Sequence, residues 1–201
     1  MKNLVLAASI ALATVSCKQS ENKPAQTVKE KSVQKNEMVA LMDQMMDEMH
    51  GHESTQNNDA DFAKMMIDHH KGAVDMSEIL LQKGQNQELK NFAQKVIDAQ
   101  NKEIALMEKF TDRKEVSPDT KQFQRELHGS MGAMMNKNIK IHDNLDKDYA
   151  EQMIPHHQSA VDMAKVYLKH GKEKELINLC NDIVKTQTAE ISQLQTWLSK
   201  T

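Results

Sequence analysis

The stretch Asp61–Gly84 reads DFAKMMIDHHKGAVDMSEILLQKG, and the stretch Asp148–Gly171 reads DYAEQMIPHHQSAVDMAKVYLKHG. They open a match without gaps between residues 61–110 and 148–197, in which 18 of 50 positions are identical. Self-similarity at a fixed offset, here 87 residues, is the signature of an internal duplication. The duplication sets the architecture, and it marks the polar residues that both copies share.

Apolar residues recur at every third or fourth position through both copies, which is the spacing of one face of an α-helix. Gly84 and Gly171 follow the first periodic stretch of each copy, as a C-cap glycine does. The short connection makes each copy an antiparallel helical hairpin. We therefore predict helices over residues 61–83 and from about 87 to 110, repeated over 148–170 and from about 174 to 199.

A further segment precedes each hairpin, and the two segments share the pattern Glu-x-His-Gly at Glu48–Gly51 and Glu126–Gly129. We read each as a satellite helix. The predicted fold is therefore all-α, a four-helix bundle built from two duplicated helical hairpins plus two satellite helices. The predicted domain covers residues 37–201, with repeat 1 at about 37–110 and repeat 2 at about 119–199.

The N-terminus has the pattern of an export signal. The apolar run Leu4–Val15 follows a positive start and is shorter than the roughly 20 residues that a membrane-spanning helix needs. Thr14–Cys17 resembles a bacterial lipobox, which predicts a signal peptide over 1–16 and a lipid on Cys17. A plain secreted protein with a free Cys17 is the alternative. Residues 17–36 are rich in Lys, Glu, Gln and Ser and predict a flexible tether, so we expect a lipoprotein anchored in the cell envelope, facing the periplasm or the outside.

Composition narrows the function classes. A net charge of −3 and an aromatic content of 3% give no basic, aromatic-rich footprint for nucleic acid. The chain has no nucleophile elbow, no phosphate loop and no cysteine cluster of the zinc type. Cys180 falls in a helical pattern and is expected to be a small buried hydrophobe. The expected partners are a metal ion and, through the lipid, a membrane, and the composition also allows a homo-oligomer.

Helix arithmetic brings two histidines and a glutamate of each copy to one level. With a rise of about 1.5 Å per residue, His69 and His70 lie about 22 Å before the hairpin turn and Glu103 about 24 Å after it. All three fall in apolar faces, where a carboxylate is costly unless it is paired or bound to a cation. The same arithmetic in the second copy groups His156, His157 and Glu190. We predict a metal at each group, and a polar network that only sets helix register is the other interpretation.

Methionine sulfur accompanies both predicted groups. The candidate thioether ligands are Met66, Met76 and Met107 in repeat 1 and Met153 and Met163 in repeat 2. Thioether together with imidazole suits Cu(I), so copper is the predicted ion, ahead of iron or zinc. Core packing is the other interpretation for any single methionine at helical spacing.

The satellite segments carry more residues of the same two types. The chain has 15 methionines in 201 residues, several of them near the histidines of these segments. We predict looser, auxiliary metal capture there, because imidazole and thioether again lie close together in the sequence. The residues concerned are His50, His52, His128, Met131 and Met135.

The motif His-His-x-x-Ala-x-x-Met at 69–76 and 156–163, each followed by Gln-x-x-Glu-Ile, resembles the bacterial family named domain of unknown function 305. The resemblance covers about residues 58–199. It implies a ferritin-like helical bundle, often exported, with some members acting as periplasmic copper-binding proteins in copper resistance. Pro155 replaces Asp68, and Leu194 replaces Met107, so the two copies are unequal. Carried over by position, the motif residues are His69, His70, Met76, His156, His157 and Met163.

The sequence therefore predicts an exported metal-binding protein that captures or buffers Cu(I) in envelope metal homeostasis or resistance, rather than an enzyme. A ferritin-like dinuclear metal oxidoreductase is one alternative. Such centres use Glu-x-x-His twice, with two further glutamates, and no Glu-x-x-His occurs in this chain. A structural or interaction lipoprotein that binds no metal is the other alternative.

Overall fold

Six α-helices make up most of the chain that the structure describes. The structure is a computed structural model, and it describes residues 36–135 and 139–201. The helices are α1 (Glu37–His50), α2 (Asn58–Lys83), α3 (Gln87–Met107), α4 (Thr120–Gly129), α5 (Leu145–His170) and α6 (Lys174–Leu198). Short 3-10 turns extend α3 at Glu108–Phe110 and follow α4 at Ser130–Ala133. The predicted all-α fold is confirmed for these residues, while the signal peptide at 1–16, Cys17 and nearly all of the tether lie outside them.

Two hairpins face each other across α2 and α5. Helix α2 packs against α3, α5 packs against α6, and α2 and α5 contact each other. The satellite helix α1 packs against α2 and α5, and α4 packs mainly against α5. The first helices of the two hairpins are therefore the ones that meet at the interface between the copies, and both carry a His-His pair.

The duplication extends into the loops that precede the hairpins. Asn57 and Asn144, 87 residues apart, cap α2 and α5 by accepting a backbone N–H three residues on. Asp61 and Asp148 accept a backbone N–H from six residues upstream, at 2.7 and 2.6 Å. Both aspartates are buried, so each anchors its preceding loop as well as supplying an acid to the first turn of its helix.

Gly84 ends α2 as predicted, but for a different reason. Its backbone is extended, with φ −65° and ψ 158°, rather than in the left-handed conformation that favours a C-cap glycine. A Cβ at this position would lie 2.6 Å from the carbonyl oxygen of Leu80 and 2.7 Å from the carboxylate of Asp146. Close approach of the α5 N-terminus therefore requires the glycine.

Two further expectations concern α5 and α6. Pro155 lies inside α5 (Leu145–His170), where a proline removes one backbone hydrogen bond, and the helix continues past it to His170. Cys180 on α6 is fully buried, as expected of a small hydrophobe, and burial raises the pKa of its thiol. Within residues 36–135 and 139–201, no helix combines the length and the apolar character needed to cross a membrane.

Candidate metal centre

The four motif histidines form one continuous row at the contact between α2 and α5. Every one of them is 0% exposed. The ring centroids lie 6.2 Å apart from His70 to His69, 3.8 Å from His69 to His156, and 5.9 Å from His156 to His157. We call these four residues the histidine row. Helix arithmetic groups the histidines within each copy, whereas the structure also joins the two copies through their inner histidines.

A glutamate closes each end of the row. His70 Nε2 lies 2.6 Å from Glu103 Oε2 in a hydrogen bond. His157 Nε2 lies 3.0 Å from Glu190 Oε2, but without the alignment of a hydrogen bond. The two glutamates are 19% and 18% exposed, so each reaches from the buried row towards the surface. The His–Glu pairs lie at the level that helix arithmetic predicts, and their geometry differs between the copies.

The inner histidines are bound by groups of the opposite copy. His156 Nε2 lies 2.9 Å from the carbonyl oxygen of His69, so this nitrogen must carry the proton. The Ser159 hydroxyl donates to the carbonyl of His156 at 3.0 Å. Its oxygen is therefore left to accept from His69 Nε2, 2.6 Å away.

These partners assign the protons in the row. A carbonyl, a hydroxyl oxygen and a carboxylate each accept from Nε2, so the Nε2 atoms of His156, His69 and His70 each carry a proton. Burial, followed by the neighbouring histidines, lowers the pKa of His69 and His156 well below the ordinary 6.5. These two rings are therefore neutral, and their Nδ1 atoms carry free lone pairs.

None of the four Nδ1 atoms in the row has a hydrogen-bond partner among the described residues. The buried amide oxygens of Gln100 and Gln187 also lack a partner there, and each glutamine lies one turn before the glutamate of its copy. Buried polar atoms in proteins are nearly always satisfied. Six unsatisfied acceptors in two equivalent sets therefore indicate that the row is built to meet a ligand.

The candidate thioether ligands are buried in the same core. Met66 and Met153 precede their histidine pairs by one helical turn, and both are 0% exposed. Met76, Met107 and Met163 are also 0% exposed. In the described part of the chain, no group of three or more His, Cys, Asp or Glu side chains is arranged to hold a metal ion. A metal at the row would therefore draw on imidazole nitrogen together with sulfur.

The predicted auxiliary histidines are not brought together. His50 is exposed at the end of α1. His52 pairs with Asp68, with 2.5 Å between Nε2 and Oδ2. His128 is exposed on α4, and its Nδ1 donates to the carbonyl of Gln124 at 2.8 Å. These three histidines have separate local partners or face solvent, so they do not form one capture site.

The two predicted auxiliary methionines also separate. Met131 is 1% exposed and belongs to the hydrophobic core. Met135 is 63% exposed and lines a groove with Met42, Met46 and Met134. The sequence places Met131 and Met135 on one short segment, but the 3-10 turn at Ser130–Ala133 directs them to different surroundings.

Sequence reasoning missed Ser159 as a partner of the row. The equivalent residue in the first copy is Gly72, so a comparison of the copies draws no attention to this position. Gly72 itself lies against Met45 of α1, because a Cβ there would come within 2.5 Å of the methionine sulfur. The equivalent positions therefore have different roles: Gly72 allows α1 to pack closely, and Ser159 binds a histidine of the row.

The chain is similar to one described family and to several solved structures. The model of a family described as "Domain of unknown function (DUF305)" matches residues 11–111 and 59–198. CopM in the Cu(I)-bound form is 31% identical, with 71% of this chain and 96% of that chain covered and a TM-score of 0.55. CopM in the Cu(II)-bound form is 33% identical, with 71% and 97% covered and a TM-score of 0.54.

Two further results complete the comparison. A DUF305 fragment from Deinococcus radiodurans is 22% identical, with 72% of this chain and 97% of that chain covered and a TM-score of 0.54, and it supports the fold alone. No curated protein matches the chain.

Proposed function

This chain belongs to the DUF305 family, and from that premise we propose that it is an exported protein that binds copper as Cu(I). The role would be capture or buffering in envelope metal homeostasis or resistance. Structures of its relative CopM with Cu(I), Cu(II) and Ag support the choice of metal. The observation in this chain that carries the proposal is the set of four buried Nδ1 atoms without partners.

The energetics of the histidine row favour a ligand. A buried polar atom without a partner costs about 1–3 kcal/mol, and the row and its glutamines hold seven. A soft cation accepts lone pairs from neutral imidazole and from thioether, the two donor types present here. Because the inner rings are already neutral, they need not release a proton to bind it.

The proposed ligands are the histidines of the row and the buried thioethers of the same core. His69, His70, His156 and His157 would bind through Nδ1. Thioethers would complete the coordination, from Met66, Met76 and Met107 in one copy and from Met153 and Met163 in the other. Glu103 and Glu190 would orient the outer imidazoles from their Nε2 side, as carboxylates do for metal-bound histidine. The bound Cu(I) would be cargo rather than a catalytic group.

Export and anchoring belong to the same proposal. The signal pattern over 1–16 and the lipobox-like Thr14–Cys17 support a lipid on Cys17 that holds the domain in the envelope. The polar composition of residues 17–36 supports a tether between that lipid and the domain at 37–201. The physiological partner in this proposal is the metal ion.

The proposal is tested by removing the inner histidines without changing the volume of the core. His69→Leu with His156→Leu should lower the Cu(I) stoichiometry by at least one equivalent, because the two central Nδ1 donors are lost. Anaerobic titration against a chelator of known affinity measures the change, with Zn(II) and Fe(II) in parallel. Circular dichroism should show nearly the same helicity.

His142→Leu is the matched control, since this histidine pairs with Glu151, outside the row, and is not among the predicted ligands. Unchanged copper binding in the His69/His156 double variant would remove the row from the site. Preference for Fe(II) with oxidase turnover would favour a dinuclear metal enzyme instead. Absence of any metal binding would leave the row as a purely structural network.

A further inference from the structure

A groove beside α1 brings four methionine side chains together outside the histidine row. Met42 and Met46 lie one turn apart on α1, and Met134 and Met135 follow the 3-10 turn at Ser130–Ala133. The groove has a volume of about 440 Å³, and we call it the methionine groove. Its other lining residues are Val39, Asp43, Ile139, Ile141 and Gln152.

The methionine groove runs from solvent to buried sulfur. Met42 and Met134 are only 5% and 6% exposed, whereas Met135 is 63% and Ile141 59% exposed. In the part of the chain that the structure describes, only one other large hydrophobic side chain, Val116, is comparably exposed. Met135 and Ile141 both line the groove, so its mouth is an exposed apolar patch, and a patch of this kind can mark a binding site.

The donor chemistry of the groove selects one class of ligand. Among its described lining residues there is no histidine and no cysteine, so zinc and other borderline ions find no imidazole or thiolate there. Thioether sulfur prefers soft monovalent ions such as Cu(I) and Ag(I). Apolar walls keep water from competing, and the carboxylate of Asp43 lies on the lining of the same groove.

We propose that the methionine groove binds one Cu(I) ion through methionine sulfur, as an entry site separate from the histidine row. The inference rests on the proposed function only for the choice of metal. Thioethers do not protonate in the pH range in which imidazoles do, so Cu(I) in the groove stays bound at about pH 5.

The test removes two sulfur atoms from the groove. Met46→Leu with Met135→Leu conserves volume closely and alters two side chains that are not fully buried. Anaerobic Cu(I) titration against a chelator, at about pH 7 and about pH 5, compares this variant with the wild type. We expect the variant to lose one equivalent at both pH values and to keep the copper of the histidine row at about pH 7.

The matched control is Met38→Leu with Met49→Leu, two buried methionines of the same helix that do not line the groove. This control should keep its full copper stoichiometry. His69→Leu with His156→Leu should keep the equivalent that is bound in the groove. Unchanged binding in the groove variant would overturn the groove site alone, leaving the row intact. A wild-type chain that binds no Cu(I) would overturn both proposals.

Discussion

The rings of His69 and His156 lie 3.8 Å apart between centroids, yet neither uses its Nδ1 atom for a bond within the described residues. Each Nε2 is engaged by the other copy, through the Ser159 hydroxyl or the His69 carbonyl. The tautomers are thus set by the protein before any ligand arrives. A neutral imidazole with a fixed free lone pair is the state in which histidine binds a metal.

The two His–Glu pairs at the ends of the row give a prediction for single residues. Glu103→Ala removes the acceptor of His70 Nε2–H, and loss of such a partner typically costs 10–100-fold in metal affinity. Glu190→Ala should cost less, because His157 lacks an aligned hydrogen bond with that carboxylate. Cu(I) competition titrations of the two variants measure the difference.

Glu108→Ala, at an exposed glutamate just beyond α3, serves as the control and should bind copper like the wild type. Equal losses in the Glu103 and Glu190 variants would contradict the asymmetry of the two ends. No loss in either variant would show that the glutamates do not support the row.

Much of the site is predictable from the sequence. The rest depends on how the helices pack, which the sequence pattern does not specify. That His70 and Glu103 lie at the same distance from the hairpin turn follows from the helical rise alone. The crossing of His69 into the second copy depends on how α2 and α5 pack, which the periodicity within each helix does not specify. Ser159 is hidden because its counterpart is Gly72, and the free nitrogen of each ring depends on partners that only the packed structure supplies.

Among the elements, α4 is held to the bundle by its buried side chains Phe123 and Leu127 and by polar contacts, one of which is made by His170. His170, the last residue of α5, places Nδ1 2.7 Å from Asp119 Oδ2 and Nε2 3.3 Å from Glu126 Oε2. The hydrogen bond to Asp119, and then the nearby carboxylate of Glu126, raises the pKa of His170. A hydrogen bond from Gln122, and then the nearby His170, lowers the pKa of Glu126 to about 2. A protonated His170 therefore joins the end of α5 to the residue that precedes α4 and to Glu126 within it.

This attachment predicts a pH-dependent stability. Because the pKa of His170 is raised in the folded state, its contribution is complete below the unfolded value of about 6.5. The contribution disappears as the pH rises through the folded-state pKa. His170→Gln should therefore lower the free energy of unfolding at about pH 6 more than at about pH 9. Urea denaturation at the two pH values measures both differences.

His50→Gln changes an exposed histidine at the end of α1 and is the control for general effects of the substitution. Equal destabilisation by His170→Gln at both pH values would contradict a charged role for His170. The existence of α4 is predictable from the repeated Glu-x-His-Gly pattern. Its docking is not, because Asp119 and Glu126 meet His170 from a distant part of the chain.

For the molecule as a whole, the two copies hold each other's hairpins at the ends. Asp146, at the start of α5, accepts the N–H groups of Gln85 and Asn86 in the turn between α2 and α3, at 3.0 and 3.1 Å. Its equivalent in the first copy, Asp59, accepts the hydroxyl of Tyr167 on α5 at 2.5 Å. Each copy thus binds the other near its hairpin turn, which keeps α2 and α5 in register and with them the histidine row.

The reciprocal contact predicts a loss of stability on Asp146→Ala. The substitution leaves the N–H groups of Gln85 and Asn86 without their acceptor. Gln85 is exposed and Asn86 half-buried, so water replaces part of the lost bonding and the expected loss is about 1 kcal/mol. Chemical denaturation measures the change, with Asp143→Ala, at an exposed residue nearby, as the control. A variant as stable as the wild type would show that the copies do not depend on this contact.

The most direct test of the histidine row is a long-range 1H–15N correlation spectrum of the histidine side chains, recorded on residues 18–201 before and after addition of Ag(I), which stands in for Cu(I). Before addition, His69 and His156 should show the pattern of neutral Nε2–H tautomers. After addition, the Nδ1 resonances of row histidines should shift, while their Nε2 atoms remain protonated. Silver bound in stoichiometric amount with every row Nδ1 resonance unchanged would contradict the row as the metal centre.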